Sequence, residues 1–469
     1  PLGDLLNGGP GSDRLIGGWR MFLDVMQHAA ALGARITFRQ VPRVYNSVPD
    51  ELCNAIMDRR RPKRHMPVPL GDRSNAPLNV QGLLAAALLC RGRTWRRMPP
   101  ACIPLWQNLL QNLDYDFHGD EALVVMALAP VIFLPRKARD RGRNSEAANL
   151  TGTLQLLNDS SDTRRLFIDA YAAGSDVAHI AATLAPHDGL RAPRDGAAST
   201  LRLRIHGHLA MKTPSKAAML LDGASAICDP ADPLVHQHVR KTFCREGPPP
   251  APLHIPPTAP ILETSRALYE RECRRLGCGR SPGLSGWTRE LLAPILASGN
   301  VPGMVTLLNA IGRGELPGPL VQFFRTNVGS VFDRQTETSD GIPTTKRRAI
   351  VLGELLLKLP WRVALQHAGV PKHLIDAQCN GRRGGPIRSV RRVQQWLDDG
   401  YDVWFGDAVN GYPSMLRSHV ANVIRENADL HVLIRLFNLV YCGWTTIAMF
   451  TLDEGKRCFQ MDVGDGLLV

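Results

Sequence analysis

Apolar residues recur at helical spacing through most of the first half of the chain. The segments with this period are Gln81–Asn158, RLFIDAYAAG from Arg165, and LRLRIHGHLAMKTPSKAAMLLDGA from Leu201. A spacing of three or four residues places apolar side chains on one face of a helix. The pattern therefore predicts several packed helices before about residue 224, of which ALVVMALAPVIFLP at 122–135 is the most apolar.

The second half of the chain alternates between helical and strand-like patterns. Helices are predicted at Leu262–Leu276, Thr288–Leu296, Val301–Ile311 and Pro317–Thr326, and strands at Arg348–Leu352 and Val403–Phe405. Helices that flank a small sheet define an α+β arrangement. The sequence thus predicts an α+β protein with a mostly helical N-terminal half.

Two proline-rich stretches divide the chain. Residues 59–80 are rich in Arg and Pro and are predicted to form a basic linker. Residues 247–260, GPPPAPLHIPPTAP, cannot join a helix or a central strand, because proline lacks the N–H donor and fixes φ. The predicted units are therefore 1–58, 81–246 and 261–469.

Positive charge is in excess and is clustered. The chain has 56 Lys and Arg against 43 Asp and Glu, a net charge of +13. The basic runs lie at 59–64, at 91–97 around Trp95, and at 136–143. Such runs suit a polyphosphate partner, since each neutralised phosphate releases counterions. A basic protein without a nucleic-acid partner, a localisation signal and a disordered linker are the alternatives.

The ten cysteines have no repeating short spacing, which argues against a disulfide framework or a zinc ribbon and favours an intracellular chain. Cys228, His236, His238 and Cys244 have a loose metal-like spacing, but ordinary packing explains them as well. No apolar run has the length needed to span a bilayer. The chain begins at Pro1 rather than Met, which indicates a fragment or a processed chain.

One stretch near the C-terminus has the pattern of a catalytic strand. YDVWFGDAVNGYPSMLR, at Tyr401–Arg417, places Asp407 at the end of an apolar run and Tyr412 five residues later. A carboxylate on a rigid strand is well placed to hold Mg²⁺ at a nucleoside triphosphate. Asp, Asn and Gly are also what an ordinary strand-to-helix turn uses, so this stretch alone does not decide between the two interpretations.

Four further segments occur in a characteristic order along the chain. They are RSPGLSGWTRELL at Arg280–Leu292, KRRAIVLGELLLKLPWRVAL at Lys346–Leu365, CNGRRGGPIRSVRRVQQWL at Cys379–Leu397, and VGDGL at Val463–Leu467. Together with the Asp407 stretch they resemble the fingers and part of the palm of non-LTR retrotransposon reverse transcriptases. The resemblance covers roughly Leu201–Val469. It implies a right-hand polymerase fold with fingers and an incomplete palm in residues 261–469.

The resemblance also implies roles for particular residues. Asp407 would be catalytic and would bind Mg²⁺. The residues near the nucleotide would be Lys346, Arg348, Tyr412 and Gly464. Those near the nucleic acid would be Arg280, Arg382, Arg383, Gly384 and Arg388. We expect Arg280, Lys346, Gly384 and Asp407 to line one cleft. A solvated basic strand edge and a core aromatic are the alternatives for the cations and for Tyr412.

Departures from the family pattern bear on activity. The family's second metal site comes from a Tyr-x-Asp-Asp hairpin, which residues 1–469 do not contain. Val463 stands where the family has Gln, Gly466 where it has Pro, and Pro413 where it has a polar residue. The resemblance therefore implies an RNA-directed DNA polymerase, a nucleotidyltransferase that copies RNA into DNA, in a chain that we expect to be inactive.

The N-terminal segment has a second resemblance. VPRVYNSVPDELCNAIMD, at 41–58, resembles the C-terminal end of a ribonuclease H domain, and Arg43, Asn46 and Asp50 match it. In that family the Asp belongs to a carboxylate cluster that binds two metal ions. Helix capping is a sufficient alternative for Asp50. We expect a remnant at 1–58 rather than a working nuclease.

The partners implied are template RNA and primer DNA, with no membrane partner, and the implied location is nuclear. The oligomeric state stays open. Two other functions remain alternatives. One is a non-catalytic, domesticated RNA- or DNA-binding protein. The other is a helical interaction scaffold whose basic runs are solvated faces.

Overall fold

The computed structural model of the chain describes residues 77–89, 94–135, 143–175, 225–244, 247–337, 343–369, 385–403, 415–451 and 457–466, together with residues 177 and 180. All of these residues belong to one compact unit, Ser74–Val469. The predicted ribonuclease H remnant at 1–58, including Asp50, lies outside the described residues.

Helices dominate the chain before residue 225 wherever it is described, as the apolar period predicts. They are α1 Val80–Leu89, α2 Ile103–Asp116, α3 Gly119–Phe133, α4 Arg143–Asp159 and α5 Ser161–Ala172, with a short 3₁₀ helix at Pro100–Cys102. Ser160 begins α5 because its hydroxyl oxygen accepts a hydrogen bond from the Thr163 N–H at 3.2 Å. Every residue of α3 from Val124 to Phe133 is buried, which its continuous apolar sequence requires.

The later helices alternate with strands. They are α6 Pro233–Phe243, α7 Arg266–Arg275, α8 Arg289–Ser298, α9 Pro302–Arg313, α10 Gly318–Phe324, α11 Leu355–His367, α12 Gly385–Asp398, α13 Arg417–Glu426 and α14 Ile434–Tyr441, with a 3₁₀ helix at Ala428–Leu433. The four helices predicted between 262 and 326 are confirmed. Helices α8 and α9 each end at a glycine with positive φ, Gly299 and Gly314, a conformation that glycine adopts without steric cost.

A five-stranded sheet is built around one long strand. The strands are β1 Ser225–Ile227, β2 Thr326–Glu337, β3 Pro343–Leu352, β4 Thr445–Phe450 and β5 Arg457–Val463. Strand β3 pairs antiparallel with β2 along one edge. Strands β1 and β4 share the other edge, β1 antiparallel near its end and β4 parallel near its start. Strand β5 pairs antiparallel with β4.

The outcome for the predicted strands is mixed. The strand predicted at Arg348–Leu352 is confirmed as the second half of β3. Val403 is not in a strand, and residues 404 and 405 lie outside the described residues. The sequence pattern does not predict strand β2, which carries most of the pairing in the sheet. Helices with one mixed sheet make the chain a mixed α and β protein.

The main core draws residues from both halves of the chain. Trp106 of α2 and Trp287, which precedes α8, are both fully buried with ring centroids 5.8 Å apart. The same core includes Val328, Ala448 and Phe450 from the sheet. One face of the sheet therefore packs against helices that come from regions far apart in sequence.

Helix α6 covers the other face of the sheet. Its buried Val235, Val239 and Phe243 form a second, smaller core with residues of β2, β4 and β5, namely Val331, Ile447, Met449, Met461 and Val463. Asp232 begins the helix by accepting a hydrogen bond from the Leu234 N–H at 2.8 Å. The sheet is thus enclosed between α6 and the main core.

The proline-rich segment 247–260 forms neither helix nor strand, as its prolines predict. It is attached to α14 by paired hydrogen bonds. The Leu253 N–H donates to Asn438 Oδ1 at 2.8 Å, and Asn438 Nδ2 donates to the Leu253 carbonyl at 2.9 Å. Leu253 is buried. The segment is therefore held against the fold at its centre.

Candidate nucleic-acid interface

The loop at Pro282–Trp287 is buried and is built around one carboxylate. Glu354, directly before α11, is 1% exposed. Its Oε1 accepts from the Ser285 N–H at 3.0 Å, and its Oε2 accepts from the Ser285 hydroxyl at 2.5 Å. A methyl group on Gly283 would overlap Glu354 Oε1. Glycine and serine at these positions therefore let the loop seat on the start of α11.

The same loop is tied to the N-terminal helices. The Trp287 indole Nε1 donates to the Met126 carbonyl of α3 at 3.2 Å. The Thr288 hydroxyl donates to the Arg96 carbonyl at 2.6 Å and accepts from the Leu291 N–H at 3.3 Å, which begins α8. The loop is therefore held on one side by Glu354 and on the other by the carbonyls of Met126 and Arg96.

Two cations lie beside the seat of the loop. Arg280 precedes the loop, Lys358 lies one turn into α11, and both side chains are exposed. Although much of Lys358 is exposed, partial desolvation lowers the pKa of its ammonium group. Arg280 lowers that pKa further by its positive charge, and Glu354 raises it. The two cations are therefore close enough to repel one another.

Strand β3 presents different chemistry on its two sides. Arg347 faces α6 and pairs with Asp333 at 3.1 Å and with Asp232 at 3.6 Å. Arg348 lies on the opposite side, because side chains alternate along a strand, and it is exposed. Lys346 lies opposite Arg334 in the β2–β3 pairing. We call the side of β3 that carries Arg348, Ile350 and Leu352 its front side.

A second junction joins the segment Val463–Gly466 to α13. Leu416 and Gly466 form a bridge, and the Arg417 N–H donates to the Asp465 carbonyl at 2.8 Å. The Asp465 carboxylate accepts from the Ser418 N–H at 2.8 Å and from its hydroxyl at 2.7 Å. The carboxylate therefore caps the first turn of the helix that follows the Asp407 stretch.

Arg417 holds this junction from inside the fold. It is completely buried and donates to the carbonyls of Gly466 at 2.7 Å and Gly443 at 3.1 Å, and to the Thr445 hydroxyl at 2.5 Å. Burial lowers the pKa of its guanidinium to about 10. The group thus stays charged at neutral pH and serves as a hydrogen-bond donor. Sequence reasoning missed this residue, because arginine is rarely fully buried.

Gly464 is covered by its own chain. A methyl group on it would overlap the Gly247 carbonyl oxygen and would lie 3.0 Å from Trp444 Cζ3. Trp444 itself is 51% exposed. Close approach of Gly247, the first residue of the proline-rich segment, thus requires glycine here.

Helix α12 exposes both cations and apolar residues. Arg388 and Arg391 are exposed, three residues apart on one side of the helix. The exposed apolar residues of the same helix are Ile387, Val390, Trp396 and Leu397. Much of the surface of α12 is thus open to solvent, and the two arginines are available to an anionic partner.

The described residues include Arg280, Arg348, Arg388, Gly464 and the backbone of Lys346. The remaining candidates lie outside the described residues: Asp50, Arg382, Arg383, Gly384, Asp407 and Tyr412. Lys346 is about 20 Å along β3 from Leu352 by strand geometry. Arg280 precedes the loop that contacts Glu354, two residues beyond the other end of β3. Arg280 and Lys346 thus lie at separated points near one strand, and convergence with Gly384 and Asp407 stays a prediction.

No group of three His, Cys, Asp or Glu side chains suited to a metal ion occurs among the described residues. The loosely spaced cysteine and histidine set has other contacts. His236 stacks on Phe459 with centroids 3.8 Å apart and bonds the Pro230 carbonyl at 2.7 Å. Burial, with Asp333, raises the pKa of the Cys228 thiol to about 11. Mg²⁺ at Asp407 stays a prediction, since Asp407 is outside the described residues.

Comparison with protein-family models, with curated proteins and with solved structures finds no match for this chain.

Within the described part of the chain, no single helix is long and apolar enough to cross a membrane. The pair α8 and α9, bent by 114° between them, passes that test by length and composition alone.

Proposed function

We propose that the chain is a reverse-transcriptase-type protein of a retrotransposon that binds template RNA paired with primer DNA. The observation that carries the proposal is that the ordered motif segments contact one another pairwise. The first motif loop, at Gly283 and Ser285, seats on Glu354 in the second motif, 69 residues later. The last, at Asp465 and Gly466, seats on α13, directly after the Asp407 stretch.

The charges support a nucleic-acid partner. Arg280, Lys358 and Arg348 are exposed, as are Arg388 and Arg391 of α12, and the chain carries a net charge of +13. Exposed cations in several elements suit a partner with a repeating phosphate charge, because each contact releases counterions. A duplex of RNA and DNA has that charge on both strands.

We expect the polypeptide 1–469 to bind this partner without extending the primer. Val463 in place of Gln removes an amide that could hydrogen-bond to the nucleotide or template. The neighbouring Asp465 carboxylate is engaged by Ser418. The second candidate function is that of a non-catalytic binding protein. Such a protein would bind nucleic acid through the same interface. Asp407 separates the two, since only a polymerase needs its carboxylate.

Binding is tested with a fluorescent RNA template annealed to a DNA primer, over a series of salt concentrations. The variant Arg388→Gln/Arg391→Gln removes two exposed cations of α12. We expect it to reduce the slope of log affinity against log salt by about two, since each lost phosphate contact changes that slope by about one. Binding itself should weaken most at low salt.

The control is Arg240→Gln/Lys241→Gln, which removes two exposed cations from the end of α6. Equal weakening by both double variants would indicate nonspecific attraction by a basic protein. No binding at low salt would favour the helical interaction scaffold.

Primer extension with Mg²⁺, compared between the unchanged chain and Asp407→Asn, tests for DNA synthesis. Template-dependent synthesis that is lost in Asp407→Asn would refute the expected inactivity and establish a polymerase.

A further inference from the structure

We propose that Arg280 and Lys358 together form a phosphate-binding site for a polynucleotide backbone at the end of β3. This site deepens the interface proposed above and rests on that proposed function. The inference assigns a direct contact with the nucleic acid to Lys358, which lies in the second motif segment but to which the resemblance assigns no role.

The fold brings the two cations together through the buried carboxylate. Lys358 follows Glu354 by one helical turn, and its backbone N–H donates to the Glu354 carbonyl at 3.3 Å. Arg280 lies three residues before Gly283, whose Cα carries no side chain and so packs against the Glu354 carboxylate. The contacts of Gly283 and Ser285 with Glu354 thus bring the segment that carries Arg280 to the first turn of α11, which carries Lys358.

Their charges are not neutralised by ion pairs within the described structure. The salt bridges found there include neither Arg280 nor Lys358. Glu354, the carboxylate that joins loop and helix, already accepts two hydrogen bonds from Ser285. Two like charges held side by side repel, and an anion between them would remove that cost. A phosphate oxygen is such an anion.

The extent of the charged surface favours a polynucleotide over a single phosphate group. Leu352 packs against the main core, which also contains Leu356 and Leu359 of α11. The end of the front side of β3 and the buried side of α11 therefore share one core. Arg348 is on that front side, about 13 Å from Leu352 by the rise of a strand. Cations spread over this distance match successive backbone phosphates.

The test uses the full chain and the labelled RNA–DNA duplex described above. We expect Lys358→Gln to weaken binding about threefold to tenfold at low salt and to reduce the salt slope by about one. Lys241→Gln is the matched control, because it removes one exposed lysine charge from α6. The control should leave both quantities unchanged.

Thermal unfolding separates this role from a structural one. If Lys358 mainly stabilised Glu354, then Lys358→Gln would lower the melting temperature. We expect an unchanged or higher melting temperature, because the change removes repulsion with Arg280. Inorganic phosphate should raise the melting temperature of the unchanged chain more than that of the variant. A lower melting temperature with unchanged duplex binding would overturn the inference.

The outcomes distinguish this inference from the proposed function. If the unchanged chain binds the duplex and Lys358→Gln binds it equally well, the phosphate site is wrong while the proposed function stands. If the unchanged chain binds no polynucleotide, both fail. A deoxynucleoside triphosphate that binds the unchanged chain but not the variant, with duplex binding unaffected, would assign the site to free nucleotide and overturn the polynucleotide assignment.

Discussion

Glu354 gives a physical reason for the composition of the loop that seats on it. In the sequence, Gly283 and Ser285 are identified only as members of a motif segment. In the structure, Gly283 leaves room for the carboxylate, and Ser285 supplies its hydrogen bonds. The sequence could suggest that these residues matter. It could not reveal their partner, because the contact joins residues 69 positions apart.

Gly283→Ala should therefore destabilise the fold. Its methyl group would overlap Glu354 Oε1, and forcing such a contact in a packed site costs about 1–3 kcal/mol. Gly283 does not have a positive φ, so the loss is steric rather than conformational. The free energy of unfolding, measured with urea, checks this.

Gly318→Ala is the control for that change. Gly318 begins α10, and no other atom lies within 4 Å of the position that an added methyl group would take, so alanine should leave the stability unchanged or raise it slightly. Equal stabilities for the two variants would mean that the loop does not seat on Glu354.

Arg417 illustrates a residue whose role sequence reasoning misjudges. An arginine is ordinarily expected at the surface. Here it is buried and donates to the Gly466 and Gly443 carbonyls. These acceptors belong to turns that no local pattern connects to Arg417. Only the folded arrangement of α13, α14 and β4 brings them together.

At the scale of elements, the helices that the sequence predicts depend on local signals, and the strands that it misses depend on nonlocal ones. Helices α7 to α10 have apolar periods that are visible in short windows. Strand β4, TTIAMF, is buried along its whole length and so shows no alternation of polar and apolar residues. Strand β2 contains Gly329 and several polar residues, and its partners fix it as a strand.

The turn at Val463–Gly466 and helix α13 position one another. The sequence resemblance implies that this turn faces the nucleotide. The structure adds that the Asp465 carboxylate caps α13 through two hydrogen bonds from Ser418. Since α13 begins at Arg417, the last residue of the Asp407 stretch, the cap also fixes that end of the stretch.

Asp465→Ala should loosen α13 at its start. Losing a side-chain cap costs about 0.5–2 kcal/mol, and here two hydrogen bonds are lost. Hydrogen exchange at the first amides of α13 should become faster. Asp465→Asn retains an acceptor oxygen for the Ser418 N–H and should be milder. If Asp465→Ala left exchange and stability unchanged but abolished nucleotide binding, the carboxylate would be a ligand contact instead.

At the scale of the whole molecule, one core unites helices that the sequence assigns to separate regions. Trp287, from the motif segment Arg280–Leu292, donates to the Met126 carbonyl of α3 and packs beside Trp106 of α2. Composition indicates a boundary at 247–260, and that segment does lack helix and strand. Hydrophobic patterns show that a face is buried, but they do not show against which other face it packs.

This shared core predicts cooperative unfolding of helices from both halves. Trp106 is fully buried, and in the described structure its indole N–H has no hydrogen-bond partner, so Trp106→Ala removes packing alone. The expected loss is about 3–5 kcal/mol. Hydrogen-exchange protection should fall in α8 and α9 as well as in α2 and α3, because these helices share one core.

Tyr115→Ala, also in α2, is the control for Trp106→Ala. Tyr115 is 70% exposed, so its replacement should change stability by less than about 0.5 kcal/mol. Loss of protection confined to the helices before residue 175 would show instead that the two halves unfold independently.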